Sequence, residues 1–182
     1  MVEGAVARIL DPDKKIQSGC IKLLYEIGYR EPKLIAERAD LFVRLLKHRN
    51  NRLVWGGMIA LSAIAPARPE ALFEKRTELF DAIRGGSTIT RDRGMMALGS
   101  VAAADPKYRK ELFPKLLAIL RGSEGNDVAK FGEHLEPAVD PGNAAAYIET
   151  LEDKLDELAA SAQKRVARLV KRARLQAPAK KA

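Results

Sequence analysis

Three prolines, Pro32, Pro69 and Pro106, stand at equal steps of 37 residues, and the residues around them fall into matching slots. Before the prolines, Ile21, Met58 and Met95 coincide, then Leu24, Leu61 and Leu98, then Ile27, Ile64 and Val101. After them the slots hold Phe42, Leu79 and Leu116, then Val43, Phe80 and Leu117, then Leu46, Ile83 and Leu120. In the first group the steps are three residues, and in the second Phe42 and Val43 stand four and three residues before Leu46, the spacing of a helix face. A fixed step of this length, built from two helical segments, marks a solenoid. Burial then comes from neighbour against neighbour rather than from a central core.

Composition agrees with helix-on-helix packing. Aromatics make up only 5% of the chain, so the packing relies on Leu, Ile, Val, Ala and Met. A lone cysteine, Cys20, excludes an intrachain disulfide, and its slot holds glycine (Gly57, Gly94) in the next two repeats, as expected of a small packed thiol. No apolar run approaches the roughly 20 residues of a membrane span. Met1-Val2-Glu3 does not open like a secretory leader, so a cytoplasmic protein is expected. The net charge of +8 suggests nucleic acid only until it is located. Of the 32 basic residues, eight follow position 163 with no acid among them, which leaves 24 basic and 24 acidic side chains in residues 1–163. The body is neutral and only its end is basic.

In chain order, residues 1–10 fit a half repeat, the last turns of a second helix. Asp11-Pro12-Asp13 breaks it, and Asp13 caps a helix over 14–29 with Ile16, Cys20, Leu23, Leu24 and Ile27 on its apolar face. The partner helix runs from Pro32 or Lys33 to His48 and buries Leu34, Ile35, Leu41, Phe42, Leu45 and Leu46. Asn50-Asn51 open a second repeat with helices over 51–65 and 69–84. Gly56-Gly57 inside its first helix predict a close approach of two backbones, since glycine there costs about 1 kcal/mol relative to alanine. Gly85-Gly86 stop that repeat, Ser87, Thr88 and Thr90 cap the next, and helices over 88–103 and 106–121 follow, with Pro114 expected to kink the last or delay its start. A degenerate fourth repeat has a short first helix over 127–139 and restores the proline turn at Asp140-Pro141. From Asn143 to Gln176, Tyr147, Leu151, Leu155, Leu158, Ala162, Val166 and Leu169 predict one long amphipathic capping helix, acidic first and basic last. The expected repeats are 11–49, 50–86, 87–123 and 124–176 in a single domain over 1–176, with a frayed basic tail at 177–182.

With helix pairs at this period, Asp/Asn-rich openings (Asp11, Asp13; Asn50, Asn51; Asp127) and prolines between paired helices, residues 1–141 resemble the HEAT and armadillo class. The resemblance implies an all-α fold, a right-handed α-α superhelix of about four helix pairs. First helices would form the convex layer and second helices the concave one. Proteins of this class mostly act as interaction scaffolds; a minority, including alkylpurine DNA glycosylases, act on nucleic acids.

Two polar ladders mark the second helices. Glu37, Glu74 and Glu111 share one slot, and Lys47, Arg84 and Arg121 another. They read either as a charged stripe that grips a partner or as helix electrostatics, acids early and bases late, worth about 0.3–1 kcal/mol each. Trp55 shares its slot with Ser18 and Asp92, so it is expected to face outward as a contact anchor, or else to tuck into a neighbouring groove. Lys164, Arg165, Arg168, Lys171, Arg172 and Arg174 are candidate nucleic-acid ligands, or a solvated capping face. No aromatic residue follows Tyr147, which weakens single-strand binding.

For catalysis the inventory is thin. His48 and His134 are single histidines in separate repeats, Glu133, His134 and Glu136 lack a clustered ligand set, and Gly85-Gly86-Ser87-Thr88 lacks the lysine of a phosphate loop. No cofactor or metal is expected. The expected role is a non-enzymatic scaffold for another protein; the alternative is a nucleic-acid-associated solenoid, with a repeat-based glycosylase third.

Overall fold

The structure, a computed structural model, describes residues 1–176; the expected frayed tail at 177–182 lies outside the described residues. The described residues are all-helical, with no strand among them. Eleven α-helices run α1 (Val2–Ala7), α2 (Lys14–Arg30), α3 (Ala39–Leu45), α4 (Asn51–Ile64), α5 (Pro69–Glu74), α6 (Arg76–Gly85), α7 (Thr88–Ala104), α8 (Pro106–Arg121), α9 (Asn126–Leu135), α10 (Ala144–Glu152) and α11 (Ala160–Arg174). None of the described helices is long and apolar enough to cross a membrane. They gather into two compact units, Met1–Val101 and the described residues from Ala102 onward.

Within the first unit, α1 packs on α2, α2 on α4, and α3 on α4. The caps fall where short polar side chains were expected. Asp13 accepts from the Lys15 N–H at 2.7 Å and Asn50 from the Arg52 N–H at 3.1 Å. Repeat-equivalent positions are buried alike. Leu24, Leu61 and Leu98 are fully enclosed, and Val43 and Phe80 share the same small residual exposure of 7%.

The first unit differs from the sequence pattern in the buried face of α2, in Leu34 and in the second helices. The deepest line of α2 is Gln17, Ile21, Leu24 and Gly28, while Ile16, Cys20, Leu23 and Ile27 are half-buried flanks. The buried face is therefore turned by one residue, and a polar glutamine sits on it. Leu34 is 60% exposed rather than buried, because Pro32–Leu34 and Ala36–Arg38 are short 3-10 turns that aim Ile35 inward instead. The second helices are broken rather than continuous, and at equivalent points. Arg38, just before α3, has φ −100 and ψ 16; Lys75, between α5 and α6, has φ −94 and ψ 13. These residues are 37 apart.

In the second unit α8 packs on α9 and α10, and α11 packs on α9 and α10. Helix α8 begins at Pro106 with Asp105 accepting from the Lys107 N–H at 2.6 Å, and it runs without a break past Pro114, which lies on its exposed face. The expected long capping helix is instead a hairpin. Helix α10 ends at Glu152, Leu155–Glu157 form a 3-10 turn, and Leu158 and Ala159 are extended before α11. The apolar spacing runs unbroken through this point, so periodicity alone cannot reveal the break. Charge can: Glu149 and Asp153, Glu152 and Asp156, and Asp153 and Glu157 are like-charged pairs four residues apart, each disfavouring a continuous helix. The fold-back is visible in the Arg174–Glu152 ion pair. In an unbroken helix these two residues would stand about 33 Å apart.

Glycine sets the helix spacing. A Cβ on Gly56 would run into the Cγ1 of Ile21, with the Cγ2 and Cβ of that residue at 3.1 and 3.2 Å. Ile21 is β-branched and enclosed, so it cannot swing aside. Gly56→Ala is expected to destabilise the protein in urea melts, because overpacking of about 1–3 kcal/mol outweighs the helix propensity gained. Gly19→Ala, on the exposed side of α2 with nothing near the new methyl, is expected to stabilise by up to about 1 kcal/mol.

Candidate functional site

A polar chain fixes the start of α4. The Gln17 amide donates to the Asp11 carbonyl at 2.9 Å, and its oxygen accepts from Asn50 Nδ2 at 2.7 Å. The Asn50 backbone N–H donates to His48 Nδ1 at 2.9 Å. This network satisfies the buried Gln17 and locks the turn between α3 and α4.

On that turn rests a hollow of about 490 Å³, wholly within the first unit. One wall is Leu46, Lys47 and His48, just past α3, with Asn51, Val54 and Trp55 from the opening turns of α4. The other is Glu78, Asp81, Ala82 and Gly85, one face of α6 at helical spacing, and Gly86, Ser87 and Thr90 close the end. Gly86 is needed there, since a Cβ would strike the Ala82 carbonyl and sit 2.7 Å from the Thr90 methyl. Ser87 caps α7 as expected, its Oγ accepting weakly from the Thr90 N–H at 3.4 Å. A second hollow of about 330 Å³ adjoins it through shared Lys47 and Glu78, and adds Asp40, Val43, Arg44 and Lys75.

The charge in these hollows is mixed. Asp40 and Lys75 pair at 3.2 Å and Asp81 pairs with Arg84, while Lys47, Arg44 and Glu78 have no ion-pair partner among the described residues. Trp55 is half-buried against this groove, so it does not stand outward on the helix surface. Asp92, its slot-mate, lies against Arg93 at 3.6 Å and is not part of the groove lining.

The ladder residues part company. Lys47 lines both hollows; Arg84 is exposed and paired with Asp81. Arg121 belongs to the second unit and donates to the Thr150 hydroxyl at 3.2 Å. Glu37 pairs with Arg68, Glu111 reaches Lys115 one turn on at 3.4 Å, and Glu74 is exposed. A different charge repeat is present. Arg38–Glu3 and Lys75–Asp40 are the same pair of slots displaced by 37 residues, opposite charges 35 apart in each repeat. That offset was open to the same slot comparison that found the apolar positions.

Comparison with known proteins finds no matching family model and no matching curated sequence.

In the second unit the basic helix α11 is divided. Arg165 grips Glu133 with two hydrogen bonds of 2.8 and 2.5 Å, Arg172 grips Glu136 with two of 2.5 and 2.8 Å, and Arg174 pairs with Glu152. Glu133 and Glu136 are thus engaged by arginine, and no group of three potential metal ligands occurs among the described residues. Lys164, Arg168 and Lys171 are exposed and have no ion-pair partner among the described residues. Below the helix, the Tyr147 hydroxyl donates to the Gly132 carbonyl at 2.8 Å, and burial raises its pKa.

Two carboxylates in this unit are held below the usual range. The Arg165 hydrogen bonds lower Glu133, and the Arg109 hydrogen bond at 2.7 Å lowers Asp140, helped by the Gly142 and Asn143 N–H groups. A lowered carboxylate pKa stabilises the folded state above the ordinary carboxylate range, and that contribution is lost as pH falls through the depressed value. Urea midpoints of the wild type should therefore drop on acidification below about pH 5, and Asp140→Asn, which cannot ionise but keeps an acceptor oxygen, should flatten the drop.

Proposed function

We propose that the chain is a non-enzymatic helical-repeat module, stacked as a HEAT-like right-handed solenoid, that holds a segment of another polypeptide. The stacking is supported by recurring partners. Helix α4 packs on α2 and α3, and α11 likewise packs on α9 and α10, so α11 behaves as the first helix of a further pair rather than as a cap. The paired slots of Arg38–Glu3 and Lys75–Asp40 support the same repeat.

The observation that carries the functional reading is the groove beside Trp55. It joins an aromatic wall to charges of both signs that have no ion-pair partner among the described residues, Lys47 and Arg44 against Glu78. A polypeptide offers side chains of both signs and apolar groups for such a surface. A phosphate backbone would meet repulsion from Glu78 and Asp81. Aromatic side chains half-sunk in a wall anchor interfaces well, because they lose little conformational freedom on contact.

Trp55 is the only tryptophan, so its emission reports on the groove alone. Peptides selected from a displayed random library on the full chain are expected to shift that emission. Trp55→Ala should weaken them about tenfold or more, the scale of an interface anchor, and charge reversal at both Lys47 and Glu78 should redirect which sequences are selected. Selected peptides that leave the emission unmoved and bind Trp55→Ala as well as wild type would defeat the proposal.

A further inference from the structure

Helix α11 sorts its cations by direction. Its buried line, Ala162, Val166, Leu169 and Ala173, faces α9 and α10, and its flanking arginines are spent on Glu133, Glu136 and Glu152. At 100° per residue, Lys164, Arg168 and Lys171 fall within about 60° of arc opposite that line. All three are exposed, without an ion-pair partner among the described residues, and no acidic residue occurs in α11. We propose that this outward face is a second binding surface, separate from the groove beside Trp55, that takes the phosphate backbone of double-stranded nucleic acid.

Spacing and chemistry favour that occupant. The three cations span about 10 Å of helix axis, at 1.5 Å per residue. One strand of a duplex presents a phosphate about every 3.4 Å of axis, so three phosphates fit the same length. The face carries no aromatic side chain for stacking bases, which argues for a duplex backbone over a single strand. A membrane surface fits less well, because the apolar face of α11 is already buried and Leu175 alone stands exposed at the end of the stripe. The acids nearest in sequence, Asp156 and Glu157, precede α11, so the footprint extends from Lys164 toward the C-terminal end.

Three neutralised phosphates predict a slope of about −2.7 in log affinity against log salt, a loss of about 40-fold between about 50 and 200 mM. The test is titration of the full chain with a duplex of about 20 base pairs across that salt range. The combined variant Lys164→Gln, Arg168→Gln, Lys171→Gln should flatten the slope by that amount while its thermal melt stays at the wild-type position. The charge-neutral pair Glu133→Gln, Arg165→Gln should leave the slope unchanged. The proposal fails if wild type does not bind the duplex at low salt. It fails equally if the triple variant keeps the full slope, which would assign binding to Lys180 and Lys181 or to the groove. Binding to phosphatidylserine vesicles without binding to the duplex would also overturn it.

Discussion

The close seating of one helix against the side chains of the preceding pair is the constraint on which the rest of the structure depends. At Gly57 a Cβ would lie 3.0 Å from the Phe42 carbonyl and 3.2 Å from the Leu45 Cβ; at Gly94 it would strike Ile83 and approach the Met58 methyl at 3.4 Å. Leu46, also near Gly57, and Ile83 occupy the same slot one repeat apart, so the same contact is made twice. Each glycine costs about 1 kcal/mol of helix propensity, which is smaller than the burial of even one additional leucine-sized side chain. The trade is favourable only where backbone meets packed side chain. Exposed glycines such as Gly19 serve no such purpose.

Charges act on this frame as markers of register. Arg38–Glu3 and Lys75–Asp40 are largely solvent-exposed, and pairs of that kind contribute about 0–1 kcal/mol. Their interest lies in position: each joins residues 35 apart, and the two pairs are displaced from one another by 37. One step further the slots hold Thr77 and Leu112, and the series stops. The half-buried chain from Asp11 through Gln17 and Asn50 to His48 is stronger, because breaking it at Gln17 would strand a buried amide away from water. It also holds the wall of the groove in which Trp55 sits.

The repeat was legible because identical burial leaves identical residue types at a fixed step, as with Leu24, Leu61 and Leu98. The caps at Asp13 and Asn50 were legible for a local reason, since each satisfies an N–H two residues away. What escaped were features decided by competition between signals. The hairpin between α10 and α11 lay hidden because a perfect apolar period masked the like-charge repulsion among Glu149, Glu152, Asp153, Asp156 and Glu157. The groove escaped because its walls come from α4, α6 and the residues after α3, and slot comparison aligns repeats without showing which faces converge. Trp55 was noticed as unusual, but its half-buried place depends on residues 23 to 30 positions downstream, such as Glu78 and Gly85.

Counting charges and locating them lead to different chemistry. The sequence places an unopposed run of cations after residue 163, yet the fold matches three of its arginines with carboxylates from α9, α10 and the turn after α9. Arginine suits that work because its planar fork binds both oxygens of a carboxylate at once, as Arg165 and Arg172 do. Two of the three cations left outward are lysines, compact and strongly hydrated, suited to a ligand that is read as charge rather than shape. The fold-back after Glu152 makes this division possible: it returns Arg174 to α10 and turns Lys164, Arg168 and Lys171 away from every carboxylate the second unit uses for packing. A continuous helix would have carried all six cations away from α10 together. The break in α10–α11 is therefore what separates the structural charges from the available ones.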